Sequence, residues 1–157
     1  GVSVSEVELA SHIQFYDKIT SKDIHETMIK AASELISEET PNYQYVAGRL
    51  INYQLRKEVY GRYGPAPLST HYSIITDLGY YDRSLETTYD TQEWNELDQY
   101  IDHDRDNYLA YAAMEQFRGK YLVKNRVTGQ IYETPQMAFM LIAMTLFSNY
   151  QIGRAHV

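Results

Sequence analysis

Ser21 and His25 stand four residues apart, a spacing that places both on one face of a helix near its N-terminal end. Unpaired backbone N–H groups and the helix dipole at such an end favour an anion, and Lys57, late in the next helical stretch, offers a point charge for the same anion. Taken together the three describe a phosphate site; taken apart they are a serine cap, a surface histidine and a solvated lysine, and spacing does not separate the two. Asp102-His103-Asp104-Arg105-Asp106 is the densest polar run. Alternate acids around a histidine suit a divalent metal or a His-Asp hydrolase pair, but such a site needs further ligands, and His71 is the only other histidine nearby in sequence. The alternative is that the run caps a helix starting near Asn107 while Arg105 neutralises its acidic neighbours. Tyr43, Tyr45, Tyr53, Tyr60, Tyr63 and the pair Tyr80-Tyr81 belong to an unusual set of sixteen tyrosines against four phenylalanines. Without interleaved basic residues they lack the electrostatic track of a base-stacking surface, so core and interface packing is their expected use.

Helices have to position these groups. Ser3 and Ser5 precede Glu6 and Glu8 as N-cap candidates for a short first helix, with a partial apolar stripe of Val4, Val7, Leu9 and Ile13, ending before Tyr16-Asp17-Lys18. Thr20 with Asp23 three residues later opens a second helix, along which Ile24, Met28, Ala31, Leu35 and Ile36 recur at helical spacing. Beyond Thr40-Pro41, the residues Tyr43, Val46, Ala47, Leu50, Ile51 and Leu55 form the cleanest helical stripe in the chain, with Gly61 as its stop. Gly61 to Pro67 holds two glycines and two prolines and reads as a linker. Further helices are expected from Ser69 to Leu78, from Asp90 to Tyr100 with an Asp90/Glu93 capping box, and from Asn107 to Phe117, ending at Gly119. Tyr121 to Glu133 reads as a β-hairpin around a glycine-bearing loop, and Thr134-Pro135 opens a last, strongly apolar helix. The expected fold class is mainly α with one β-hairpin.

The 157 residues include no cysteine, which excludes disulfides, thiolate catalysis, zinc ribbons and iron–sulfur ligation within the chain. Fourteen basic against twenty-one acidic residues leave a net charge of −7, which argues against a nucleic-acid clamp or a polybasic membrane anchor. The acid is concentrated: residues 62–106 hold three basic against ten acidic residues, whereas 107–157 hold five against two. The longest apolar stretch, Met137 to Phe147, is too short to span a bilayer and reads as a buried helix. A cytoplasmic chain is the expectation.

The segments Val4–Leu9, Ser11–Asp17, Asp23–Thr27, Ile29–Ala32, Asn42–Tyr45 and Leu55–Lys57 resemble the ATP-cone of the large (alpha) subunit of aerobic class I ribonucleoside-diphosphate reductase. Past the linker, Ile101–Asp106, Gly119–Gly129 and Leu146–Tyr150 are similar to that subunit's N-terminal helical domain, so the likeness runs from about residue 2 to 150 in family order. It implies three stretches: a partial ATP-cone over 1–61, a helical domain over 62–150, and a tail over 151–157 that departs from the family pattern and reads as non-native, with His156 no ligand. In that family the large subunit reduces ribonucleoside diphosphates with a radical delivered by a small (beta) subunit, works as a homodimer, and senses ATP against dATP through the cone. By matching position, His25 and Lys57 fall on the cone's nucleotide-binding histidine and lysine, and Ser21 on a position that is usually threonine. Phe15 and Ile24 fall near the base pocket.

The resemblance also implies what is missing here. The family's cone opens with a β-hairpin carrying a Lys-Arg-Asp-Gly type segment, and this chain starts after it; the barrel with its catalytic cysteines would follow residue 157. No catalytic residue and no metal ligand is therefore expected within these residues, and ATP and dATP are the expected effectors. Two rivals are a freestanding helical nucleotide-sensing or interaction module, such as the cone-bearing repressor of reductase genes, and a His-Asp metallohydrolase built on Asp102 to Asp106. The repressor carries paired cysteines and no such helical domain; the hydrolase predicts bound divalent metal.

Overall fold

The computed structural model describes residues 1–12 and 19–149. Helix α1 runs Val4–His12 and buries Val7 while Val4 and Leu9 stay in solvent. Its anchor is distant in sequence: the hydroxyl of Tyr43 donates to the Glu6 carboxylate and accepts from the Ser3 N–H at 2.9 Å. Helix α2 (Ser21–Glu34) is capped by Thr20, whose Oγ1 accepts from the Asp23 N–H at 3.1 Å and donates to the Asp23 carboxylate at 2.6 Å. Helix α3 (Tyr43–Tyr60) stops at Gly61, whose φ of 69° is the left-handed conformation a side chain would resist.

Past the 61–67 linker come α4 (Leu68–Asp77), α5 (Ser84–Thr88) and α6 (Thr91–Gln99). The expected capping box opens α6, with reciprocal 2.9 Å bonds between Asp90 and Glu93. Helix α5 is too short to leave a periodic signal in the sequence. The helix expected from Asn107 is instead divided into three. A 3₁₀ turn spans His103–Tyr108, α7 covers Tyr111–Gln116, and a π-turn carries the chain through Phe117–Tyr121, past Gly119. The hairpin that follows is reduced to one antiparallel bridge, Lys124 to Ile131, supported by Asn125 N–H to Gln130 O at 2.8 Å and Tyr132 N–H to Val123 O at 2.9 Å. Helix α8 (Pro135–Leu146) starts with proline in its first turn, as its sequence requires.

Three apolar clusters hold these helices. Val7, Ala32, Tyr43 and Ala47 join α1, α2 and α3. Ile29, Ile51 and Leu55 meet Met114, Leu122, Ile131 and Ala138, so the second cluster is built from both sides of the linker. Leu68, Tyr72, Leu85, Tyr89, Trp94, Met137, Leu141 and Met144 form the third around α4, α6 and α8. Each fully buried Val, Leu, Ile or Met among them contributes roughly 1.5–3 kcal/mol by leaving water. Buried Tyr89 and half-buried Tyr81 find polar partners for their hydroxyls: Tyr89 donates to the Met144 carbonyl at 2.8 Å and Tyr81 to Glu133 at 2.7 Å. Among the described residues no helix is long and apolar enough to cross a membrane.

Candidate functional site

The contact between α2 and α3 brings together His25 and Lys57, two of the residues singled out for anion chemistry. Thr20, not Ser21, supplies the cap, which leaves the Ser21 hydroxyl exposed on the first helical residue. One turn later the His25 ring lies 5.3 Å from the Tyr53 ring of α3, and the Lys57 ammonium lies 5.9 Å from the centroid of that same ring. Tyr53 and Lys57 are an i, i+4 pair on α3, so the helix itself puts the charge beside the aromatic face. His25 Nδ1 is buried and has no hydrogen-bond partner. Ile24 is half-buried on α2. Phe15 lies outside the described residues. The ring of Tyr53 continues to Tyr63, stacked at 5.6 Å, and the two help to line a cleft of about 470 Å³ with Arg49, Asp104, Asn107 and Tyr108.

A second face of α3 explains the acidic run. Gly48, Asn52 and Arg56 repeat every four residues and all meet the segment 103–110. The position a Cβ would take on Gly48 is 2.2 Å from the Leu109 carbonyl oxygen. Asn52 donates to Asn107 Oδ1 at 2.8 Å, and buried Arg56 donates to the His103 carbonyl at 2.5 Å and to Asp104 at 3.2 Å. Asp102 caps the 3₁₀ turn by accepting from the Asp104 N–H at 3.1 Å, with Arg105 3.6 Å away. Asp102 thus serves as a cap, and the His103 carbonyl and Asp104 serve to dock the run against α3. Among the described residues no three side chains of His, Cys, Asp or Glu converge to hold a metal ion.

Asp106 is fully buried; one carboxylate oxygen accepts from the Gln136 N–H at 3.4 Å and the other has no partner. Burial pushes its pKa up to about 6. Burial likewise drives His71 down to about 4, so its ring is neutral, and lifts Tyr60 to about 12. Tyr60 and His71, on either side of the linker, have ring centroids 5.4 Å apart, and the Tyr60 hydroxyl is bonded to Thr134 at 2.9 Å.

A third polar cluster ties α2 to the residues after α7. Arg118 contacts Glu26 at 2.8 Å and Glu115 at 2.5 Å, and Gln54 donates to the same Glu26 oxygen at 2.8 Å. Burial raises the Glu26 pKa, but the Arg118 guanidinium and the Gln54 amide outweigh it and hold the carboxyl below its ordinary value. Glu26 follows His25 directly, so the His25–Tyr53 contact and the ion pair to Arg118 share a helix turn. Sequence reading missed Gly48, Asn52, Arg56 and Arg118. The polar i, i+4, i+8 stripe on α3 was the available signal for the first three; nothing local signals Arg118.

The chain is 53% identical over 149 residues to the ribonucleoside-diphosphate reductase 1 subunit alpha of Escherichia coli, covering 95% of this chain and 20% of that protein. The chain belongs to the ribonucleoside-diphosphate reductase large-subunit family. The Haemophilus influenzae subunit alpha is 51% identical over 149 residues, 95% of this chain and 20% of the relative. The subunit alpha of Enterobacteria phage T4 is 44% identical over 156 residues, 98% of this chain and 21% of its own length. The family described as "Ribonucleotide reductase, all-alpha domain" matches residues 108–154. The chain therefore spans about a fifth of the length of the relatives it matches, and its helical fold is that of the family's N-terminal region.

Proposed function

We propose that these residues form the regulatory N-terminal portion of a large subunit that reduces ribonucleoside diphosphates to deoxyribonucleotides, and that Ser21 and His25 of α2 with Lys57 of α3 receive ATP or dATP. The observation that carries this reading is the convergence of His25 and Lys57 on Tyr53, beside the N-terminal end of α2. The N–H groups of the first turn that Thr20 leaves uncapped and the Lys57 ammonium suit phosphate oxygens, Ser21 adds a hydroxyl, and Tyr53 and Ile24 offer apolar surface to a base. Residues 1–61 then act as the nucleotide-responsive unit and residues 62–150 as its scaffold, with catalysis carried by parts of the subunit outside this segment. A second large subunit and the small radical-generating subunit are the partners of this reading, and the cytoplasm its compartment.

The test is a chimera in which residues 1–149 replace the matched segment of the E. coli relative, assayed with its small subunit for dATP inhibition of ribonucleoside-diphosphate reduction. His25→Ala and Lys57→Ala should each raise the dATP concentration needed for half inhibition by at least about tenfold, the loss of one charge-assisted contact. An unchanged dose response in both variants overturns the assignment.

A further inference from the structure

Arg118 lies past the linker, yet its guanidinium touches both α2 and α3. Its Nη1 donates to Glu26 Oε1 of α2 at 2.8 Å and to Gln54 Oε1 of α3 at 3.4 Å, and the Gln54 amide donates to the same Glu26 oxygen at 2.8 Å. Its Nε and Nη2 serve Glu115, at 2.9 and 2.5 Å. The Arg118 side chain is only 20% exposed, so these charge-assisted bonds are less screened than those of a surface pair.

The place of this node along the two helices gives it its consequence. Glu26 follows His25, and Gln54 follows Tyr53 and stands one turn before Lys57. The buried apolar residues of α2, Ile29, Ala31 and Ala32, come a turn or more after His25. Among the described residues, Gln54 to Glu26 is the one side-chain hydrogen bond between α2 and α3, and Arg118 to Glu26 the one ion pair between α2 and the chain past the linker. Without Arg118, the Glu26 carboxylate keeps a single neutral donor, and the two helix turns that carry His25 and Tyr53 lose the charge that pins their spacing.

Resting on the nucleotide reading, we infer that Arg118 is a positioning residue of that site. Through Glu26 and Gln54 it holds Ser21 and His25 of α2 in register with Tyr53 and Lys57 of α3, and it touches no nucleotide itself. The response to ATP or dATP therefore depends on a residue outside 1–61, and by linkage a bound nucleotide strengthens the hold of α2 on the chain past the linker by the same factor.

The test uses the E. coli chimera with its small subunit and reads the dATP concentration for half inhibition. Arg118→Gln should raise it at least about fivefold, inside the range of roughly 2–30-fold spanned by such indirect couplings. Glu26→Gln should do the same from the other end of the bond, so the comparison survives if one variant folds poorly. The double variant should cost no more than either single one, because both remove one link. Arg118→Lys keeps a charged donor for Glu26 and should restore the response to within about twofold of the parent. Arg83→Gln, which breaks an exposed ion pair at the start of α5, should leave the response unchanged.

A parent chimera that dATP does not inhibit refutes the nucleotide reading and this inference with it. A parent that responds, with losses in His25→Ala and Lys57→Ala but none in Arg118→Gln or Glu26→Gln, keeps the site and overturns only the positioning role. Losses that multiply in the double variant also overturn it, since they put Arg118 on the nucleotide itself. So does a loss that Arg118→Lys fails to repair or that Arg83→Gln equals, since either marks general destabilisation.

Discussion

Replacing Gly48 with alanine tests the contact that joins α3 to the segment after the 3₁₀ turn. A Cβ there would sit 2.2 Å from the Leu109 carbonyl oxygen and 3.3 Å from the Leu109 and Ala110 carbonyl carbons, where ordinary contact begins at 3.4 Å. The clashing atoms are backbone, so no rotamer change relieves them, and α3 or the 109–110 strip must retreat by about 1 Å. Overpacking of this kind costs about 1–3 kcal/mol. Alanine returns about 1 kcal/mol through its better helix propensity. The retreat also stretches two bonds, Arg49 to the Asn107 carbonyl at 3.1 Å and Asn52 to Asn107 at 2.8 Å, each contributing about 1 kcal/mol. The balance is a net loss of about 2 kcal/mol, which in a chain of this size lowers Tm by about 4–8 °C. Urea and thermal unfolding of the 157-residue chain measure it, with Gly64→Ala as control. Gly64 has open space around its Cβ position, so alanine there should leave stability unchanged or raise it by less than about 1 kcal/mol. If the two variants unfold alike, the close approach of α3 to residues 109–110 is wrong.

Asp106 and His71 pull the pH dependence of stability in opposite directions. An acid whose folded pKa is about 6 binds more protons folded than unfolded, so its contribution falls as pH rises from about 4 to about 6. A histidine at about 4 binds fewer protons folded than unfolded, so its contribution rises with pH from about 4 to about 6.5. Asp106→Asn should therefore steepen the rise in stability between pH 4 and 6.5, and His71→Gln should flatten or reverse it; profiles identical to the parent's in denaturant titrations would contradict both burials. Tyr43→Phe removes the hydroxyl that joins Ser3 and Glu6 to α3. Amide hydrogen exchange should then quicken across α1 while α3 keeps its protection, and unchanged exchange in α1 would mean that Val7 packing alone holds that helix.

Much of the scaffold was legible because it rests on local rules. Thr20-x-x-Asp23 and Asp90-x-x-Glu93 specify helix starts within four residues, Gly61 specifies a stop through its left-handed φ, and the Ala47/Ile51/Leu55 stripe names the buried face of α3. The hairpin between Tyr121 and Glu133 was legible as a chain reversal, but its reduction to one bridge depends on Glu133 turning inward to accept the Val123 N–H at 2.8 Å and the Tyr81 hydroxyl. The stretch His103–Tyr121 broke into a 3₁₀ turn, α7 and a π-turn because its residues answer to α3 and to Arg118's partners rather than to their own periodicity.

By itself, the sequence determined the helical class, most of the caps and stops, the lack of cysteine within these residues, and the pairing of Ser21 with His25 on one helix face, since each follows from residue type and spacing along a single element. The tertiary structure alone decided that Lys57 and His25 share the Tyr53 ring, that the Asp102–Asp106 run serves α3, and that the second core cluster is built from both sides of the linker. Those outcomes depend on where separate helices cross, and crossing is set by the fit of their buried faces, which no local spacing encodes.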